Sequence, residues 1–429
     1  MSAHNKLTIV FFGDEMSQNG SAQACRFCGQ RLENIFVDLG MSPLANSYLK
    51  PTQLHQMEPF YPLRVFICAN CLLVQAEDFE TPESIFSDYA YFASYSDTWL
   101  QHAQAYAGMI VQRLALGKES LVIEIASNDG YLLQAFVAQG IPVLGIEPAA
   151  NVAQTAVKKG VRTIVKFFGE DTARELAAQN MKADLIVGNN VLAHVPKLND
   201  FVRGIKLVLK PNGVVTLEFP HLMRLMQENQ FDTIYHEHFS YFSFLAVERI
   251  LAAHGLTLFD VEELPTHGGS LRIYARHSED STKAVGARVK DLRTREQDAG
   301  LASVASYLSF AEQVQATKSK LLNFLIEAKR QRKSIVGYGA PAKGNTLLNY
   351  CGIRSDFIDY TVDRSPHKQG HFLPGAHIAI HHPDKIKETK PDYLLILPWN
   401  LKDEVIDQMQ YIRQWGGKFV VPIPELRVL

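Results

Sequence analysis

Four cysteines fall in two pairs, Cys25-Arg26-Phe27-Cys28 and Cys68-Ala69-Asn70-Cys71, and a fifth, Cys351, stands alone. Each Cys-x-x-Cys knuckle can offer two thiolates to one tetrahedral Zn²⁺. Four thiolates leave no open coordination position, so such a metal serves folding and not chemistry. A redox pair of this spacing would sit at a strand-to-helix junction of a βαβ unit, which the proline-punctuated text around the knuckles does not resemble. Cys351 reads as a buried apolar residue. Different chemistry is on offer in Tyr235-His236-Glu237-His238-Phe239-Ser240-Tyr241, where two histidines, a carboxylate and two phenols share seven residues. A polar surface loop is one reading. A second metal is another, but in extended chain His236 and His238 point to opposite faces. The third is acid/base work: a His or Glu of tuned pKa takes a proton from a C–H beside a carbonyl, while a phenol or protonated histidine steadies the enolate oxygen.

A further constellation follows an apolar run. Leu121-Val122-Ile123-Glu124-Ile125 leads into Ala126-Ser127-Asn128-Asp129-Gly130 and then the helix-like Tyr131 to Phe136. A tight turn of small residues lets the backbone approach a ligand at the carboxyl end of a strand. About 20 residues on, the next strand ends in Glu147-Pro148, an acid placed to accept from ribose hydroxyls. The same geometry serves dinucleotides, but this turn reads Glu-x-Ala-x-Asn-x-Gly in place of Gly-x-Gly-x-x-Gly, which leans toward S-adenosylmethionine. Asn189 and Asn190 close a later strand, and Lys210-Pro211-Asn212-Gly213 precedes another, in the order of a class I methyltransferase. The expected donor contacts are Glu124, Ala126, Asn128, Asp129, Gly130, Glu147, Pro148, Asn189 and Asn190. Methylating carbon needs a proton removed first; methylating oxygen or nitrogen needs less of the equipment at 235–241.

Gly337-Tyr338-Gly339-Ala340-Pro341-Ala342 fits Gly-x-Gly-x-x-Ala after a strand, with Asp363 where a ribose-binding acid would sit. A nicotinamide cofactor there would make an oxidoreductase. The preferred use of the same geometry is for helix-start amides, with Lys343, to hold a substrate diphosphate.

These groups need scaffolds, and the text supplies them. Residues 1–20 read as an extension and 21–85 as a zinc-stapled module. Residues 86–265 alternate strand and helix, which implies a parallel, doubly wound α/β sheet. Residues 266–333 are a helical connector, with Val304, Tyr307, Leu308, Ala311 and Val314 at helical spacing. Residues 334–429 open a second α/β unit. Lys plus Arg (43) nearly balances Asp plus Glu (45) without a long like-charge block, so no footprint for nucleic acid or anionic membrane is visible. Without an apolar run long enough to span a bilayer or serve as a signal segment, the expectation is a cytoplasmic protein with small-molecule partners.

Taken together, the knuckles, Ser42-Pro43-Leu44-Ala45-Asn46, Tyr91 to Ser96, Glu124 to Gly130, Ile234 to Phe239, His267-Gly268-Gly269, Val336 to Lys343, Asn349 to Ile353, Pro374 to His377 and Trp399-Asn400 carry a resemblance. Nearly from Cys25 to its end, the chain resembles the sugar C-methyltransferases of deoxysugar biosynthesis, which act at C-3 of nucleotide-linked 4-keto sugars. The resemblance implies a zinc-binding domain, a central class I, Rossmann-like S-adenosylmethionine domain, and a C-terminal Rossmann-like α/β domain. The last would help hold a nucleotide sugar, on dTDP or another nucleoside diphosphate, at Tyr338, Gly339, Lys343 and Asn400. It also implies catalytic groups at Tyr235, Glu237 and His238, with His194 facing the same site. His238 or Glu237 would be the base, Tyr235 or His194 would assist the enolate, and Tyr91 and Ser94 would close over the cofactor.

Overall fold

Residues 23–81, 93–95 and 97–429 are described by the computed structural model; the expected extension, 1–20, and the cofactor candidate Tyr91 lie outside the described residues. Around the cysteine knuckles runs a small antiparallel sheet of Asn34–Ser42, Tyr61–Ile67, Val74–Ala76 and Ser240–Tyr241, in that order. The last strand comes from far along the chain, just after the His/Glu cluster. So small a module cannot bury a core of its own. It borrows one: Phe36 stacks on Phe310 with ring centroids 4.7 Å apart and meets Tyr307 edge-on, both from the connector.

The central sheet has seven strands, in the order Leu256–Leu264, Ser270–His277, Leu209–Pro220, Ala183–Asn189, Val122–Ile125, Val143–Ile146 and Thr163–Ile164. All four residues of Val122–Ile125 are buried, as a parallel strand covered by helices on both faces requires. The parallel, doubly wound sheet read from the sequence holds from Leu209–Pro220 to Thr163–Ile164 and ends in an antiparallel addition. Leu256–Leu264 and Ser270–His277 form an antiparallel hairpin, and Ser270–His277 pairs antiparallel with Leu209–Pro220. A connection as short as 265–269 cannot make the crossover that a parallel pair needs. Ser270–His277 is buried almost throughout, so the central body continues past 265 into residues first read as connector.

The connector itself is helical at Ala287–Asp298, Val304–Leu308 and Phe310–Arg330. Tyr307 and Val314 face the core as their spacing suggests, but Leu308 is 44% exposed. The helix breaks at Ser309, so Phe310 and not Leu308 turns inward. Beyond it, a six-stranded sheet takes the order Ile380–His381, Thr361–Val362, Ile335–Tyr338, Tyr393–Ile396, Lys418–Val421 and Arg427–Val428, parallel but for the last pair. Cys351, at the end of the helix Ala342–Cys351, is buried. Among the described residues no helix is long and apolar enough to cross a membrane.

The three units are stitched together by polar contacts. The Arg26 guanidinium, inside the first knuckle, donates to the carbonyls of Phe239 and Ala76 and pairs with Asp78. Asn345 Nδ2 donates to Ala45 O at 2.5 Å, Tyr48 donates to Ala340 O at 2.5 Å, and Glu58 pairs with His377 at 2.8 Å. Replacing Arg26 with Ala strips donors from buried carbonyls and should cost about 2 to 3 kcal/mol. Chemical denaturation should register that loss while zinc content is unchanged; an unmoved midpoint would contradict the tether.

Candidate active site

The four sulfurs of Cys25, Cys28, Cys68 and Cys71 lie within 4.8 Å of one another. Cys25 and Cys71 approach to 3.5 Å, as do Cys28 and Cys68. The two knuckles share one backbone shape: Gly29 N donates to Cys25 O, and Leu72 N to Cys68 O. Both Gly29 and Leu72 have positive φ, which costs the branched leucine more than the glycine and is tolerated where a metal fixes the turn. The donor set fits one tetrahedral Zn²⁺.

At the carboxyl ends of the central strands, the donor candidates come together around unsatisfied polar atoms. Asp129 Oδ1, both amide atoms of Asn189 and Asn190 Oδ1 are buried without a hydrogen-bond partner. Burial, and then the neighbouring Glu147, hold the Glu124 carboxyl well above the usual range. Groups so placed lack only a polar ligand, and S-adenosylmethionine brings hydroxyl, amino and cationic groups to match. The turn is held from within. Glu147 accepts from Asn128 N and Ala149 N, each at 2.9 Å. Asn128 Oδ1 accepts from Ala93 N at 2.8 Å, while Asp129 binds the Ser94 hydroxyl and pairs with Lys159 at 2.9 Å. Gly130 has φ +77°, and a Cβ there would meet Val161 Cγ2 at 3.0 Å. Ala126 also has positive φ, and Pro148 lies half-buried beside Glu147.

The cluster at 235–241 is not extended chain: Tyr235 to His238 form a turn closed by His238 N to Tyr235 O at 2.9 Å. The turn sends the two histidines apart. His236 donates from Nε2 to Pro62 O at 3.2 Å and packs away from the cleft, while His238 enters it. His238 sits between Tyr235, with ring centroids 4.0 Å apart, and His194, at 4.7 Å. A carbonyl only accepts, so contacts with carbonyls fix the tautomers. His238 Nδ1–H donates to Thr233 O and His194 Nδ1–H to Glu237 O, both at 2.8 Å. Each ring therefore presents an Nε2 lone pair. Burial lowers both pKa values, His194 to about 4 and His238 well below its usual range, so both are neutral near pH 7. Glu237 moves the other way. Burial pushes its carboxyl up to about 7 against a lowering hydrogen bond from Asn46 Nδ2, 2.6 Å from its Oε1.

The C-terminal candidates reach the same region from the side. Lys343 Nζ donates to Asn400 Oδ1 at 2.8 Å and lies 4.6 Å from the centre of the Trp399 ring. Gly339 has φ +87°, and a Cβ there would come within 2.6 Å of Pro398 Cδ. Tyr338 points elsewhere, its hydroxyl donating to Gln408 at 3.0 Å. Asp363 is occupied: it accepts from Ala340 N and Ser365 N, each at 2.8 Å, with Lys368 3.8 Å away.

Sequence reasoning missed four residues that line or hold this site. Asn46 comes from the zinc module. Asp232 accepts from the Trp399 indole at 2.7 Å. His267, with φ 55°, lies 3.1 Å from Asn190 Nδ2, and Trp99 packs against His267 and Tyr131. The signal for His267 was present in the Gly268-Gly269 pair that follows it: a Cβ at Gly268 would collide with Trp399 at 2.7 Å.

Family comparisons match three consecutive stretches of the chain: a zinc binding domain at 25–86, a methyltransferase domain at 99–261, and a C-methyltransferase C-terminal domain at 265–424. A curated relative, C-methyltransferase NovU of Streptomyces niveus, is 35% identical over 405 residues, 94% of this chain and 96% of that protein. Among solved structures, magnesium protoporphyrin IX methyltransferase of Synechocystis PCC 6803 is 16% identical, covering 42% of this chain and 83% of its own, with a TM-score of 0.33. The PH0226 protein of Pyrococcus horikoshii OT3 is also 16% identical, covering 46% of this chain and 99% of its own, with a TM-score of 0.37.

Changing Cys68 to Ser should remove zinc and expose the N-terminal module to proteolysis; mass spectrometry that finds full zinc content would overturn the four-thiolate site. The Glu237 pKa carries a stability consequence. A folded value of about 7 lies above the ordinary 4.5, so the native state holds the proton longer and stability falls as pH rises from 4.5 through 7. Glu237→Gln removes that burden and should gain about 3 kcal/mol on wild type between pH 4.5 and pH 8. Parallel unfolding curves at the two pH values would read it directly, and an equal difference at both would show that the carboxyl is not perturbed.

Proposed function

This chain belongs to the C-methyltransferase family and depends on S-adenosylmethionine, and from that premise we propose that it methylates C-3 of a nucleotide-linked 4-keto deoxysugar through an enolate. One observation carries the reading: a turn at the mouth of the donor strands presents the Nε2 lone pair of a neutral histidine, His238, beside Glu237. Such equipment suits abstraction of a carbon-bound proton. When bound, S-adenosylmethionine supplies the electrophilic methyl group.

Of the two candidate bases, His238 is preferred. As a neutral base it becomes an imidazolium beside the enolate, so each charge that appears meets its opposite. An ionised Glu237 would instead face a new negative charge in a poorly solvated cleft. Tyr235, its ring tilted against His238, would assist the enolate. The C-terminal unit would hold the nucleotide end. The competing dinucleotide use of Gly337 to Ala342 loses its ribose acid, since Asp363 is already bonded to Ala340 N and Ser365 N.

The test is turnover of nucleoside-diphosphate 4-keto sugars with labelled S-adenosylmethionine. His238→Asn should lower kcat by 10²-fold to 10⁴-fold, with Glu237→Gln milder. Equal retention of activity by both variants would rule out acid/base work at this turn, and methyl found on oxygen would replace C-methylation.

A further inference from the structure

An enolate needs a hydrogen-bond donor at its oxygen, and the two histidines cannot serve in their resting state. The Nδ1–H of His194 is committed to Glu237 O, and that of His238 to Thr233 O, so both Nε2 atoms only accept. Tyr235 can donate but carries no charge. Lys343 can donate and does carry one. It stands in the first turn of the helix Ala342–Cys351, which is pinned to the segment leading into the His/Glu turn by Thr346 Oγ1 donating to Ile234 O at 2.9 Å and to the zinc module by Asn345 Nδ2 donating to Ala45 O.

The ammonium is held in place and left unfinished. Asn400 takes one of its three N–H groups at 2.8 Å, and the Trp399 ring lies beneath it at 4.6 Å. Trp399 is fixed in turn by its bond to Asp232 Oδ2, and its far edge fills the space where Gly268 lacks a Cβ, next to His267. Through Trp399 the ammonium stands on the His267 side of the cleft, and after burial its charge adds to the lowering of both His267 and His238. Asp232 is a weak counter-ion: burial pushes it up to about 7, and its Oδ1 is buried without a partner. A desolvated ammonium with two spare donors and an incompletely ionised neighbour favours a new negative charge in the cleft.

We propose that Lys343 is a catalytic residue that donates from Nζ to the substrate carbonyl oxygen as enolate charge builds there, in place of the diphosphate role its position after Gly339 suggests. This rests on the enolate reading above. In the step, the base takes the proton, the C–H pair becomes the C=C bond, and the carbonyl pair moves onto the oxygen bound by Lys343. On methylation the pair returns to restore C=O, the carbon gains the methyl group, and sulfur keeps the S–C pair. Burial lowers the Lys343 pKa against the opposing pull of Asp232, and the oxygen charge that builds in the step favours the ammonium form, so the lysine donates a hydrogen bond and keeps its proton.

The experiment follows exchange of the substrate C-3 proton with deuterated water, without S-adenosylmethionine, by NMR, for wild type, K343M and K343Q. Calorimetry with S-adenosylhomocysteine and with a nucleoside diphosphate runs alongside and reports whether each variant is folded. The expected result is exchange and kcat both down by 10²-fold or more in either variant, the size of losing one oxyanion donor, with both affinities within about twofold of wild type. K343R should recover part of the loss. Exchange at the wild-type rate at saturating substrate, with nucleoside diphosphate affinity down tenfold, would overturn the assignment and restore the diphosphate role. Wild-type protein that neither exchanges nor methylates any 4-keto nucleotide sugar would instead overturn the enolate reading, and the lysine assignment with it.

Discussion

The turn Tyr235 to His238 has no regular structure of its own, and its shape is imposed by bonds from every side. Phe239 N donates to Ala193 O, His194 to Glu237 O, His236 to Pro62 O, Asn46 to the Glu237 carboxyl, Arg26 to Phe239 O, and Thr346 to Ile234 O. The partners belong to the zinc module, the central sheet and the C-terminal unit. A buried irregular backbone must satisfy its polar groups somewhere, and here it does so with partners that exist only when all three units are assembled. The position of the candidate base is therefore a property of the whole chain.

Burial sets the electrostatic character of the cleft more than any pair of charges does. It lowers His194, His238 and His267 and raises Glu237, Asp232 and Glu124. Each group is moved toward its neutral form, as desolvation demands. On the proposed function, such a site would bind charged ligands by completing them, the cationic donor among acids that burial holds from ionising and the oxyanion beside Lys343.

Much of this was legible from local spacing. The two knuckles, the turn after Val122–Ile125, the acid at Glu147 and the clustering at 235–241 are all short-range patterns, and the structure brings their members together. What escaped was long-range. Nothing near Ser240 announces that it will pair with Gln75, or near Asn46 that it will meet Glu237. The hairpin at 256–277 is not legible in the pattern: residues from 266 on read as helical connector, and the strand Ser270–His277 carries arginines whose burial becomes intelligible only with Glu218 and Glu262 opposite Arg272. Likewise the burial of Phe310 in place of Leu308 depends on a helix break that periodicity alone does not announce.

The pairing of Ser240–Tyr241 with Val74–Gln75 also bears on how the chain is made. The cysteine ligands leave the ribosome early, but the edge strand that finishes their sheet follows only after most of the central domain has been synthesised. Until then Val74–Ala76 is an open edge, with unpaired amides available to any extended chain. Early metal capture fixes the knuckles during that interval, while the closing strand waits on a contact of high sequence separation, the kind that forms late. The metal thus bears on how the sheet is completed, even though it stands apart from the chemistry.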